Sequence, residues 1–142
     1  MAALTAARQG WKSETLFAIS LPLDPSQKVF RGGIACGDSS TGGVKPAQAS
    51  TTLLRIGEFL QDYDNSAGTG TVNVMVELER EVTASWYDNA TGANKVLASD
   101  LFNDVYMLDD HTVTKASSGN SKGGRVWAVD TIKGVLVESY TL

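Results

Sequence analysis

The segment Tyr106–Lys115 (YMLDDHTVTK) carries the only histidine of the chain, directly after two aspartates. Two carboxylates beside an imidazole are the raw material of a metal site or of an acid–base pair. A catalytic zinc site usually takes three protein ligands and is rich in histidine, whereas this chain offers one histidine and a lone cysteine, Cys36, far away in sequence. The regular oxygen spacing of a helix–loop–helix calcium site is also missing. Neighbouring side chains on an extended chain point to opposite faces, so Asp109 and Asp110 converge only if the backbone turns. A turn there makes LDDHTV a hairpin connection, because Asp accepts a hydrogen bond from its own backbone two residues on. The expectation is therefore a polar turn with a solvated His111 able to titrate near neutral pH, no metal, no cofactor and no catalytic residue. The competing reading is a small hydrolase or metal-dependent enzyme that uses Asp109, Asp110 and His111.

Other short patterns carry less chemistry. Gly119-Asn-Ser-Lys-Gly123 spells G-x-S-x-G, but a nucleophile elbow needs a strand before it, a helix after it and a later histidine. Here a strand follows, and the histidine lies upstream. GDSSTGGVK resembles a phosphate loop, yet Gly43 and Val44 separate Gly42 from Lys45 and Pro46 disfavours the helix that would hold a phosphate. Asn89-Ala90-Thr91 is a formal glycosylation sequon without a visible secretory route. Trp86 and Trp127 fall in alternating segments and read as core or subunit-interface residues. Trp11 lies where no local pattern can bury it, which suits an exposed anchor for a partner.

The elements that position these residues read as strands. TVNVMVELE alternates cleanly, with Val72, Val74, Val76 and Leu78 on one side, and EVTASWY does so with Val82, Ala84 and Trp86. LFAISLPL and KVFRGGIACGD read as strands, the latter broken at Gly32–Gly33. TTLLRIGEFLQDYD fits a helix and a strand about equally. Ser99 is a plausible N-cap for one helical turn through Asn103. Val105–Leu108 and Val113–Lys115 read as a strand pair, ASSGNSKGG as a flexible loop, and RVWAVD and VLVESYTL as two strands joined by TIKG. Ser, Thr and Gly supply 40 of the 142 residues, a composition of short strands and turns. The expected fold is all-β, a small barrel or sandwich over residues 15–142, with an extended arm at 1–14 and at most one or two short helical turns.

Bulk properties narrow the function classes. A chain of this length buries enough surface to fold without a metal or disulfide. A net charge of −4 with scattered basic residues argues against nucleic acid as partner. No run approaches the ~20 apolar residues that span a bilayer, and no membrane partner is expected. One cysteine and no secretory signal fit synthesis in a reducing cytoplasm.

The order of motifs from residue 15 onward resembles a known family. LPLDPSQKVFRGGIAC is followed by LLRIGEFLQDYDNSAG, TVNVMVELE, DLFNDVYMLDDHTVTKAS and GGRVWAVDTIKGVLVESY. This succession looks like the head decoration, or capsid cement, proteins of tailed bacteriophages, with Asp100-Leu101, Asp109-Asp110, Thr112-Val113, Gly124, Val126, Val129-Asp130 and Val135–Val137 at the family's recurrent positions. The resemblance implies a β-tulip or small β-barrel, assembled as a homotrimer or a dimer. It implies binding to the major capsid protein on the outer surface of the virion, without catalysis or cofactor. An arm that adds a strand to a neighbour would gain backbone hydrogen bonds without a deep pocket. The expected capsid contacts lie within residues 1–20: Arg8, Trp11, Lys12, Leu16 and Phe17. A tail-tube or other tail-associated structural protein is the alternative within the virion.

Overall fold

Alternation in the sequence becomes one long strand. A computed structural model describes residues 13–68, 70 and 72–139. The two alternating segments TVNVMVELE and EVTASWY share one parity, and they form a single 18-residue strand rather than two (β7, Val72–Asn89). Along it Val74, Val76, Leu78, Val82, Ala84 and Trp86 are all buried. The described residues divide into two compact units, 16–82 and 83–139 with 13–15.

The first unit is a set of strands around aliphatic side chains. It contains most of β1 (Ser13–Leu23), β2 (Lys28–Val29), β3 (Ile34–Asp38), β4 (Val44–Pro46), β5 (Leu53–Phe59), β6 (Tyr63–Asp64) and the first part of β7. Its hydrogen-bonded order is β1-β4-β3-β5-β7, with β2 and β6 forming a separate pair. β1 meets β4 in parallel at Leu23 and Val44, and the other neighbours are antiparallel. Leu21, Leu23, Val44, Phe59, Val74 and Val76 are each at most 1% exposed, the apolar burial that drives this unit together.

Gly57 settles the segment whose periodicity fits a helix and a strand. It stands opposite Leu78, and a Cβ there would collide with the Glu77 carbonyl oxygen. The backbone of β7 approaches so closely that only glycine fits. The residue that weakens a helix is the one the strand pairing requires.

The second unit closes on itself. Its strands are the end of β7, β8 (Asp104–Met107), β9 (Thr112–Thr114), β10 (Ser121–Asp130) and β11 (Gly134–Glu138). β7 pairs with β11, β11 with β10, β10 with β8, and β8 with β9, all antiparallel. β9 returns to β7 in parallel, through Asp88–Thr112 and Asn89–Val113. The result is a closed five-stranded barrel, as the all-β expectation requires.

Two 3₁₀ turns, Gly92–Asn94 and Ala98–Asp100, connect β7 to β8. Ser99 is not the N-cap of the second: Leu97 holds that place, and its N–H donates to Asp100 Oδ2 at 2.7 Å. β10 begins at Ser121, so the expected loop stops at Asn120 and SKGG is strand. A register shift between Val126 and Ala128 lets adjacent Val126 and Trp127 both be buried. Trp127 packs edge-on against Phe102 at 6.0 Å and donates Nε1–H to Glu138 Oε1 at 3.0 Å. Trp127 and Trp86 are core residues of this unit.

Candidate functional site

LDDH is a hairpin connection between β8 and β9. The Leu108 N–H donates to Thr112 O at 2.9 Å, and the His111 N–H donates to Asp109 Oδ1 at 3.0 Å. The second bond is the aspartate turn expected from the sequence. The turn also does what an extended chain cannot. His111 Nδ1 lies 3.1 Å from Asp109 Oδ1 and 3.0 Å from Asp110 Oδ1. One ligand atom from each of the three residues lies within 4.8 Å of the others. These side chains converge because the backbone turns.

A fourth residue joins them from elsewhere in the sequence. Asp88 Oδ2 lies 3.6 Å from His111 Nε2, brought there by the parallel pairing of β7 with β9. Sequence reasoning missed Asp88 because YDNATG reads locally as turn chemistry. The imidazole is also not solvated: its side chain is 14% exposed. Burial alone would raise the Asp109 carboxyl pKa, but hydrogen bonding from the His111 and Thr112 backbone, the nearby Thr112 hydroxyl and the His111 charge hold it below the ordinary value.

The cluster borders a cavity of about 320 Å³. Thr83, Ser85 and Tyr87 of β7, Met107 of β8, Val113 of β9, Gly123 of β10 and Val137 of β11 line it, together with Asp109, Asp110 and Thr112. A cavity touching all five strands of a closed ring lies inside the ring, so the LDDH hairpin stands at the mouth of the barrel. Thr112 is 1% exposed, yet its Oγ1 and the buried Asp109 Oδ2 have no hydrogen-bond partner of ordinary geometry.

The remaining motifs resolve into structure. The GDSSTGGVK loop is built around a carboxylate. Asp38 accepts from Ser40 N–H (2.9 Å), Ser40 Oγ (2.7 Å), Thr52 Oγ1 (2.9 Å) and Lys45 Nζ (2.7 Å). A buried anion at its centre is the opposite of a phosphate cradle. Ser121 of the GNSKG segment is an exposed residue at the start of β10. The sequon Asn89 is committed internally, donating to Val96 O and accepting from Val96 N–H, both at 2.8 Å.

Of the expected contact residues, Arg8, Trp11 and Lys12 lie outside the described residues. Leu16 and Phe17 lie in β1, which begins at Ser13, just inside the expected limit of the arm. Phe17 is 64% exposed and Leu16 is half-buried. Phe17, Ile19, Leu21 and Leu23 form one apolar face of the strand, graded from exposed at Phe17 to buried at Leu21 and Leu23. No protein-family model, curated protein or solved structure matches this chain.

Proposed function

We propose that this protein is a capsid decoration (cement) protein of a tailed bacteriophage, a structural component rather than an enzyme. It binds the major capsid protein on the outer surface of the head and acts as a homotrimer or a dimer. The observation that carries this reading is β1. Its apolar face runs from the core out to an exposed Phe17, and an exposed aromatic on an extended strand is suited to a partner that completes its burial. The all-β fold and the ordered motifs of residues 15–142 support it as well. A capsid presents many copies of one site, so modest contacts by a symmetric oligomer gain ~10²–10⁴-fold in avidity.

The test is sedimentation of the purified chain with expanded, DNA-free heads and separately with tails of the phage that encodes it. The expected result is saturable binding to heads. Phe17→Ser should weaken it at least ~10-fold, the scale of one interface anchor worth more than ~1.4 kcal/mol. Co-sedimentation with tails instead, or with neither, overturns the proposal.

A further inference from the structure

We propose that Asp109, Asp110 and His111 bind one divalent transition ion, of the zinc or manganese type, at the mouth of the barrel. Asp88 orients the histidine for it. The Nδ1–Oδ1 separations of 3.1 and 3.0 Å suit a shared cation. Ligands at ~2.1 Å from a metal lie about 3.0 Å apart at right angles and about 3.4 Å apart at the tetrahedral angle. With Nδ1 as a ligand, Nε2 carries the remaining proton and points toward Asp88 Oδ2 at 3.6 Å. This is the carboxylate–histidine–metal relay that fixes the tautomer and raises the basicity of the ligating nitrogen.

A second, independent observation points the same way. Thr112, 1% exposed, lines the cavity beside the two aspartates, and neither its Oγ1 nor the buried Asp109 Oδ2 has a hydrogen-bond partner of ordinary geometry. Buried oxygens left this way are costly, and a cation chelated by both oxygens of the Asp109 carboxylate gives Oδ2 a partner. The donor set also selects the ion. An imidazole nitrogen with two carboxylates suits zinc or manganese, whereas calcium and magnesium prefer oxygen alone. The cavity leaves space for water to complete the coordination.

The ion would be structural. β9 meets β7 through only the pairs Asp88–Thr112 and Asn89–Val113 among the described residues. A metal on the hairpin, with its histidine held by Asp88, fastens β9 to β7 where the ring closes. This inference does not depend on the proposed capsid role.

The experiment uses the full chain, purified without a polyhistidine tag, and titrates it with Zn²⁺, Mn²⁺, Mg²⁺ and Ca²⁺ by calorimetry. Because the chain has a single histidine, long-range ¹H–¹⁵N spectra report that imidazole alone. One Zn²⁺ per chain is expected, with Nδ1 shifting on binding, Nε2–H retained and a raised melting temperature. Asp110→Asn, at an exposed side chain, should keep the fold and lose about tenfold or more in affinity, and Asp88→Asn about tenfold. Three results overturn the proposal: no stoichiometric Zn²⁺ binding at about 1 mM, equal binding of all four ions, or unchanged affinity in His111→Gln. An imidazole protonated on both nitrogens and held by the three carboxylates would give the first of these.

Discussion

Asp38 is 2% exposed and accepts hydrogen bonds from Ser40, Thr52 and Lys45. Burial alone would raise its pKa, but these bonds together pull it far below the ordinary carboxylate range. A folded pKa below the unfolded one means that the stabilisation is complete above about pH 4 and is lost as pH falls through the acid range. Acid titration followed by circular dichroism should show this loss, and Asp38→Asn should flatten it. Asp38→Ala leaves the Lys45 ammonium, 21% exposed in its side chain, without its nearest anion. A cost of about 3–5 kcal/mol is expected in urea unfolding. At this scale the sequence was partly legible. The Asp109 turn follows from residue type, because aspartate bonds its own backbone. Asp88 beside His111, and Thr52 beside Asp38, do not, since each pair meets through strand register that no local pattern encodes.

At the scale of elements, period-2 alternation located β7 wherever one face is buried. It presented two strands because Arg80, exposed at an inward-parity position, interrupts the apolar series. β5 illustrates the opposite difficulty. Its residues suit two periods, and the deciding contact belongs to Gly57 and the Glu77 carbonyl on another strand. Gly57→Ala should therefore destabilise the protein by about 1–3 kcal/mol or more, an overpacking cost, measured as a lower urea midpoint at unchanged m-value. A helix at this position would instead have gained about 1 kcal/mol from the same change. The Leu97 cap was not foreseeable from residue type, because it rests on the Asp100 carboxylate reaching back to a backbone N–H.

For the molecule as a whole, composition and turn spacing pointed to an all-β barrel, and closure of residues 83–139 into a ring required knowing which strands meet. That closure has a consequence for the order of assembly. The β8–β9 and β10–β11 hairpins join residues close in sequence, whereas β7 meets β11 by bringing residues 85–87 to 135–137. Contacts across longer loops cost more entropy and form later. The parallel junction of β7 with β9 rests on few bonds, among them Asp88 N–H to His111 O (2.8 Å) and Ala90 N–H to Val113 O (2.9 Å). Native-state hydrogen exchange should find the amides of Asp88 and Ala90 exchanging before those of Val126 and Val135. Equal protection at all four would mean that the ring opens only by global unfolding. A barrel with such a junction works as a latch: the hairpins set its frame early, and the few backbone bonds between β7 and β9 decide when the cylinder opens.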